Sequence, residues 1–432
     1  MPKAIDLKLS QYNQQHLSNQ TANVTGSLFL KLTLLSVIFL PFTKALTVSI
    51  GFPLKCYEIL LPIAALILFL NGKISGGKDI ERLILLSIGF LIVALISTLM
   101  GQFDDSANIA LNYRGSKFVD SMSRAAYLLF NIISMIVAYH STTRSPLRIL
   151  KFWFIGLSIS FSYHLITVIF FLLIGEAPLL PGLERHQTGW VGSYLIPRSG
   201  TFEEGNFAGL YYLASLALAV YAGNRYMMLI AAAGILLTLS TSTYLASAVF
   251  LMVLGIMQKE LTFGNIVRII LIVSLMFFLV IELDFVSKFG ENSSSSGAVR
   301  LNEAITGVRI FLAHPFLGVG LGGYGYHFDA FEWDFALSIF YGSEKHIANN
   351  IYVELLSETG IMGFLLYSLF FFGWFVAIRN GNRKSICFSA FHFGVLVVFF
   401  AYPTFNITYI WFFIGLTTAL TQTVVNNRAN QS

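Results

Sequence analysis

Charged side chains are scarce in this sequence. Asp, Glu, Lys and Arg make up 11% of its 432 residues, whereas 56% are hydrophobic and the mean hydropathy is +0.72. A soluble domain carries about 25% charged residues, so this composition excludes an ordinary soluble enzyme. Because long apolar runs cross bilayers as helices that satisfy their own backbone, we predict an all-α polytopic membrane protein.

Cysteine and strong net charge are also lacking. The two cysteines, Cys56 and Cys387, show no metal-type spacing, and the spans predicted below put them near opposite membrane faces. We therefore expect no disulfide. The net charge of +5 is modest and indicates no nucleic-acid partner. The polar beginning of the sequence does not resemble a signal peptide. Neither a metal nor a cofactor is expected.

Apolar runs are abundant instead. A membrane-spanning helix needs ~17–25 mostly apolar residues. We predict twelve spans, at about 28–48, 56–71, 83–100, 125–140, 150–174, 206–222, 226–239, 243–257, 266–284, 359–378, 385–403 and 406–425. The run from Tyr226 to Met257 is too long for one span, so the polar cluster Ser240 to Thr243 predicts a hairpin. One long tilted helix is the alternative.

Basic residues gather on one side of these predicted spans, for example Arg379, Arg383 and Lys384. Since cytoplasmic loops are enriched in Lys and Arg, we expect both termini in the cytoplasm. The predicted organisation is a polar tail (1–27), a single membrane domain (28–425) with outside loops at about 175–205 and 285–358, and a second tail (426–432). In a bacterial inner membrane these two loops face the periplasm.

Three polar islands interrupt the apolar sequence, and ionisable groups at membrane boundaries commonly serve function. The first is Arg198-Ser-Gly-Thr-Phe-Glu-Glu-Gly-Asn-Phe-Ala208, at the foot of a predicted span. Arginine binds phosphate oxygens in a planar fork, and a glutamate can accept a proton. The structural alternatives are that Arg198 caps a helix or meets a lipid phosphate, and that Glu204 only holds Arg198.

The second island contains Arg300 and Arg309, followed by the glycine-rich run Gly318 to Gly325. No strand–helix unit surrounds the glycines, so we expect tight turns or close backbone approach to a ligand rather than a nucleotide loop. Aromatic residues from Tyr324 to Tyr341 either stack on sugars or rest at the lipid interface.

The third island runs from His346 to Glu358. If residues 350–358 are helical, Asn350, Glu354 and Glu358 share one face at i, i+4 spacing. They then form either a functional acidic pair or acidic groups that favour a helix N-terminus. His346 is either a second proton acceptor or an idle loop histidine.

These motifs, in this order, resemble the O-antigen polymerase and O-antigen ligase superfamily. The matching patterns are Arg198-x-Gly-Thr-Phe-x-Glu204, Arg300 followed by His314-Pro-Phe-Leu-Gly-Val-Gly-Leu-Gly322, and Asn349-Asn-x-Tyr-x-Glu-Leu-Leu-x-Glu-Thr-Gly-Ile-Met-Gly363. Two positions depart from the family pattern. Gly205 replaces a common proline, and Asn349-Asn350 replaces the His-Asn pair typical of ligases, which favours the polymerase branch.

The resemblance implies a glycosyltransferase that needs no metal. Such an enzyme moves a glycan from polyprenyl (undecaprenyl) diphosphate to a hydroxyl of another lipid-linked repeat unit, in O-antigen, lipopolysaccharide, capsule or related surface polysaccharide synthesis. Membrane lipids, a flippase and a chain-length regulator are the expected partners. The alternatives are a ligase that transfers polymer to a lipid A core, and a flippase of lipid-linked oligosaccharide, for which repeat symmetry would be expected.

The resemblance also implies roles for the polar residues. The candidates for binding the diphosphate are Arg198, Arg300 and Arg309. The candidates for accepting the proton are Glu204 and His346. The secondary candidates are Glu203, Asn350, Glu354, Glu358 and Tyr324.

Overall fold

A computed structural model describes residues 26–49, 53–71, 76–103, 116–191, 194–257, 294–333, 346–379, 383–402 and 404–429. Within these ranges, five helices are long and apolar enough to cross a membrane by length and composition, and five shorter apolar helices accompany them. The architecture is that of a polytopic helical membrane protein. The predicted span at 266–284 lies outside the described residues, as do residues 1–25 of the first predicted tail and 430–432 of the second.

The described helices follow the apolar runs in chain order. The first eight are α1 (Gly26–Phe39), α2 (Cys56–Leu70), α3 (Lys78–Gly101), α4 (Lys117–Arg144), α5 (Pro146–Ile174), α6 (Gly205–Ala222), α7 (Arg225–Leu237) and α8 (Thr241–Met257). The next five are α9 (Ser294–Ala313), α10 (Tyr324–Phe331), α11 (Ile351–Arg379), α12 (Ile386–Val398) and α13 (Thr408–Ala429).

The first predicted span, 28–48, is wrong at its carboxyl end because α1 stops at Phe39. Pro41 lies two residues beyond the end of α1, and proline cannot continue a helix's hydrogen-bond ladder. Its carbonyl accepts a hydrogen bond from Thr201 Oγ1 at 2.7 Å. Further along, the Leu46 amide donates to the Pro181 carbonyl at 2.6 Å. The chain after α1 therefore packs against the 175–205 loop instead of crossing a membrane.

The long apolar run after residue 225 forms two helices, as predicted. Thr238, just after α7, lies beside Gly205, the first residue of α6. Gly234, one turn earlier in α7, packs against Tyr212, further along α6. Helices α6 and α7 therefore run in opposite directions. The chain then breaks at the start of the predicted polar cluster, just before α8. The alternative of one long tilted helix is wrong.

Two other predicted spans are longer in the structure than their apolar runs. The span predicted at 125–140 becomes α4, which begins at Lys117, and the one predicted at 359–378 becomes part of α11, which begins at Ile351. Their polar ends are helical because the fold supplies partners for the polar side chains, which an apolar-run argument cannot anticipate. Within α11 the backbone breaks at Gly360, where φ is 62° and ψ is −167°.

Two small hairpins accompany the helices, and the all-α fold class predicted from the sequence agrees with the structure. β1 (Val48–Ser49) pairs antiparallel with β2 (Pro53–Leu54). β3 (Thr188–Val191) pairs antiparallel with β4 (Tyr194–Pro197), with Thr188 opposite Pro197. The second hairpin matters for the site because β4 ends immediately before Arg198.

The loops that carry the polar islands meet at one end of the helical bundle. The first loop contacts the chain after α1 through Thr201 and Pro41, and the glycine-rich run packs on the end of α3, where Gly101 meets Val319. Along the helices, large apolar side chains such as Leu85 stay exposed, as expected for surfaces in contact with lipid.

Candidate functional site

Arg198 is held by its backbone while much of its guanidinium stays available. Its amide donates to the Gln187 carbonyl at 2.8 Å, beside β3, and its Nη1 donates to the Leu239 carbonyl at 3.2 Å. Its Nε is buried and has no partner among the described residues. Burial lowers the pKa of Arg198, but an arginine stays charged in proteins. A half-buried cation with unused donors can bind a ligand oxygen.

The residues after Arg198 fix the loop. Gly200 has φ of +57°, and a side chain there would meet the ring of His164 at about 3.0 Å. Thr201 Oγ1 lies 2.8 Å from Ser160 Oγ. Glycine suits this position because it adopts left-handed φ without steric cost. The motif is therefore anchored on α5.

Glu204 stands at the backbone N-cap position of α6 with extended geometry and makes no side-chain capping bond. Burial raises the pKa of Glu204, and a hydrogen bond with the Asn206 side chain opposes that shift. Among the described residues, Arg198 forms no ion pair with Glu204 or another carboxylate, although their charges interact. The alternative in which Glu204 holds Arg198 by direct contact is not seen.

Glu203 is exposed, and its Oε1 lies 3.2 Å from Lys44 Nζ. Exposed ion pairs of this kind contribute ~0–1 kcal/mol. Glu203 therefore makes a local surface contact, and Arg198 and Glu204 remain the main candidates of the first island.

A polar cavity of about 570 Å³ opens beside this island. Its lining carries both signs of charge and consists of Lys44, Glu184, Arg185, His186, Gln187, Thr188, Glu203 and Glu204. Gln187 also accepts a hydrogen bond from the Gly205 amide at 2.8 Å, which ties the cavity wall to the start of α6. The sequence did not single out Lys44 or Gln187, because no motif surrounds them.

Arg300, an exposed residue on α9, lies close enough to the first island to act on it. Its charge interacts with Arg198, with Glu204 and with Glu303. The structure therefore brings the first two predicted islands together, although about a hundred residues separate them.

Glu303 is a polar residue of the site that the sequence analysis missed. It is 1% exposed, and its Oε2 accepts a hydrogen bond from Asn349 Nδ2 at 2.9 Å. Burial raises the pKa of Glu303 to about 7, against the opposing effects of Asn349 and Arg300. No local pattern marks a single glutamate on a polar helix as buried. The tandem asparagines in the third island were the available signal.

Arg309 and Tyr324 take local structural positions. Arg309 is exposed and its Nη1 donates to the Glu332 carbonyl at 2.9 Å, just after α10 ends. Basic groups commonly stabilise helix C-termini in this way. Tyr324 is 2% exposed, and its hydroxyl donates to the Glu303 carbonyl at 2.8 Å. Its ring is therefore enclosed by protein.

His346 is buried, in contrast to the idle loop histidine weighed above. It is 8% exposed and stacks on Phe328 with ring centroids 3.8 Å apart and planes 12° apart. Burial lowers the pKa of His346. Asn350 caps α11, because its Oδ1 accepts from the amides of Tyr352 and Val353 at 3.0 and 3.3 Å.

Glu354 and Glu358 share one face of α11, as predicted, and that face meets Arg124 of α4. Arg124 Nη1 lies 2.9 Å from Glu354 Oε1 and 3.5 Å from Glu358 Oε1. Both glutamate side chains are almost fully buried, at 3% and 2% exposure. The acidic pair thus belongs to an internal ion cluster, and its partner was not predicted.

The glycine-rich run approaches helix backbones closely. Gly318, Gly320 and Gly322 have left-handed φ values of 65°, 91° and 68°. The amide of Gly320 donates to the Glu358 carbonyl at 2.9 Å, just before the break in α11. The turn that the sequence predicted is confirmed, and the backbone that it approaches is the protein's own.

Comparison with known families agrees with this arrangement. Residues 226–368 match the family model described as O-antigen ligase. The match covers about a third of the chain and supports the resemblance to the O-antigen polymerase and ligase superfamily. The superfamily consists of membrane enzymes of glycosyltransferase or ligase type that act on lipid-linked oligosaccharides. The matched region contains the second and third islands and ends beyond Gly360, whereas Arg198 and Glu204 precede it. No curated protein matches the chain.

Proposed function

We propose that this protein is a polymerase, which transfers a glycan from a polyprenyl diphosphate to a hydroxyl of another lipid-linked repeat unit. O-antigen, capsule or a related surface polysaccharide is the product. The observation that supports this best is the convergence of Arg198 and Arg300, from separate loops, beside a polar cavity. Among the described residues neither arginine forms an ion pair, and two such cations close together suit a ligand with adjacent phosphates.

The leaving diphosphate gains negative charge as its bond to the sugar breaks. Arg198 has a buried, unused Nε donor, and Arg300 adds a second charge from α9. Preorganised cations stabilise such charge without reorganisation, and no metal is needed in this scheme. Arg309 already donates to the Glu332 carbonyl, so it is the weakest of the three diphosphate candidates.

The incoming hydroxyl must lose a proton. Glu204 lies at the mouth of the cavity, and burial raises its pKa, so it meets the requirements for a proton acceptor. His346 is the second candidate, although its ring face is covered by Phe328. Neutral sugars suit the mixed charges of the cavity lining, which offers both hydrogen-bond donors and acceptors.

The polymerase branch is favoured over a ligase by the residues at 349 and 350. The ligase-like pattern has His-Asn there, whereas here Asn349 binds Glu303 and Asn350 caps α11. A flippase and a chain-length regulator remain the proposed partners. A polymerase needs repeat units delivered to its side of the membrane, and chain growth has to end at a defined length.

We place the site on the periplasmic side of the bacterial inner membrane, from the bias of basic residues. A cysteine at exposed Leu179, in a Cys56→Ser background, should react with a membrane-impermeant thiol reagent in intact spheroplasts. A cysteine at exposed Leu147 should react only after permeabilisation. The opposite pattern would put the site on the cytoplasmic face and refute the mechanism.

Reconstituted activity tests the function itself. Purified protein in liposomes, given only polyprenyl-diphosphate repeat units, should build a ladder of longer chains, and EDTA should leave it unchanged. Arg198→Ala protein is the matched control and should build none. A product that appears only when a lipid A core is added would establish the ligase. Movement of substrate across the bilayer without any ladder would establish the flippase.

A further inference from the structure

Glu303 and Asn349 form a pair that the motif comparison does not explain. Their contact, 2.9 Å from Nδ2 to Oε2, joins α9 to the segment before α11. Asn349 has a left-handed φ of 49°, a conformation that asparagine adopts more readily than most residues. In this conformation its carboxamide reaches the Glu303 carboxylate.

One oxygen of Glu303 remains available. Oε2 accepts from Asn349, whereas Oε1 has no hydrogen-bond partner among the described residues. A carboxylate oxygen that makes no hydrogen bond within the protein can accept one from a ligand hydroxyl. The Tyr324 hydroxyl binds the Glu303 backbone carbonyl and so fixes the residue without using its carboxylate.

The groups around Glu303 set the pKa of its carboxyl near neutral pH. Arg300 lies one turn earlier on α9, Tyr324 faces it from α10, and His346 lies on the segment that carries Asn349. Burial raises the pKa of Glu303 to about 7, and Asn349 and Arg300 limit that rise. A general base is most effective when its pKa lies near the working pH.

We propose that Glu303 is the catalytic proton acceptor for the incoming sugar hydroxyl, and that Asn349 is its positioning residue. The proposal rests on the polymerase function given above. It assigns the proton to Glu303, which is not among the motif residues named in the sequence analysis and does not belong to the first polar island.

The step balances as follows. The hydroxyl proton passes to Glu303 Oε1 while the hydroxyl oxygen forms a bond to the anomeric carbon. The bond from that carbon to the diphosphate oxygen breaks, and its electron pair stays on the diphosphate. Arg198 and Arg300 face that charge, and Glu303 then releases its proton to water.

Glu303 suits this role better than the sequence candidates. Glu204 has its carboxylate engaged by Asn206, and His346 has its ring stacked on Phe328. Of these three candidates, all among the described residues, Glu303 combines a buried position, one oxygen held by Asn349 and one oxygen without a hydrogen bond, within the field of Arg300.

The test is a single-turnover rate measured in liposomes on bound polyprenyl-diphosphate units. Glu303→Gln keeps the shape but cannot accept a proton, so the rate should fall ~10²–10⁴-fold while substrate binding is retained. The control is Glu176→Gln, which makes the same change at an exposed carboxylate in the first loop and should keep the wild-type rate. Asn349→Ala should lower the rate and shift its pH midpoint.

The pH dependence gives a second measurement that needs no variant. Below pH 7 Glu303 is protonated and cannot accept, so the wild-type rate should rise about tenfold per unit toward pH 7 and then level off. A ladder built at the wild-type rate by Glu303→Gln, or a flat wild-type profile between pH 5.5 and 8.5, would overturn the assignment while leaving the polymerase intact. If wild-type protein builds no ladder, the function itself fails.

Discussion

Arg124 and Arg198 are both half-buried arginines at the same end of the bundle, yet they differ in their partners. Arg124 lies within ion-pair distance of two buried carboxylates, Glu354 and Glu358. Arg198 donates to one backbone carbonyl and has an unused buried Nε. The first arrangement is closed and the second is open.

The difference shows that burial alone does not indicate function. A buried ion cluster whose charges compensate one another holds helices together, and removing one member leaves the others uncompensated. A partly buried cation without a carboxylate keeps its charge for a ligand. The two arginines should therefore respond to mutation in opposite ways, one through stability and the other through rate.

The largest effect is expected at the closed cluster. Arg124→Ala leaves Glu354 and Glu358 buried without their cation, which typically costs ~3–5 kcal/mol of stability. The variant should lose its monodisperse peak on size exclusion after much milder heating than wild type. Arg124→Met combined with Glu354→Gln and Glu358→Gln removes all three charges and should recover most of the loss. Equal stability of Arg124→Ala and wild type would show that the cluster is not structural.

The open site should respond in rate. Arg198→Ala should slow ladder formation by ~10²–10³, which is the usual consequence of removing one charge-stabilising donor. Arg198→Lys keeps the charge but loses the planar fork and should be impaired as well. Heating should reveal little change in either variant. A severe loss of stability with a normal rate per folded molecule would move Arg198 to the structural class.

The smallest effect belongs to the matched control for that experiment. Arg309→Ala also removes an arginine, but the only interaction described for its side chain that is lost is a hydrogen bond to the Glu332 carbonyl. A hydrogen bond of this kind contributes ~1 kcal/mol, so its ladder rate should stay close to wild type. A loss as large as that of Arg198→Ala would instead return Arg309 to the diphosphate site.

The sequence predicted those features that depend on local pattern. Apolar runs located most described helices, the polar cluster at Ser240 located the break before α8, and i, i+4 spacing put Glu354 and Glu358 on one face. The hairpin of β3 and β4 had a signal that was not used, since Gly192-Ser193 separates two short β-prone segments.

The rest depends on contacts between distant residues. The sequence analysis did not single out Arg124, because nothing near it in the sequence indicates partners on α11. It also passed over Glu303, whose hydrogen-bond partner Asn349 lies 46 positions later. Glycines at 318–322 were correctly assigned to turns, but which backbone they approach required the packed structure.

The closed cluster also has a consequence for the order in which the chain assembles. Arg124 and Glu354 are 230 positions apart. At ~5–20 residues per second of synthesis, the arginine exists for roughly 10–50 s before its partner leaves the ribosome. An unpaired arginine is expensive in hydrocarbon, so during that time the end of α4 must stay near water or lipid headgroups. A chain that stops short of Glu354 lacks both glutamates of the cluster, so the cluster can close only once α11 has been made, with α12 and α13 still to follow.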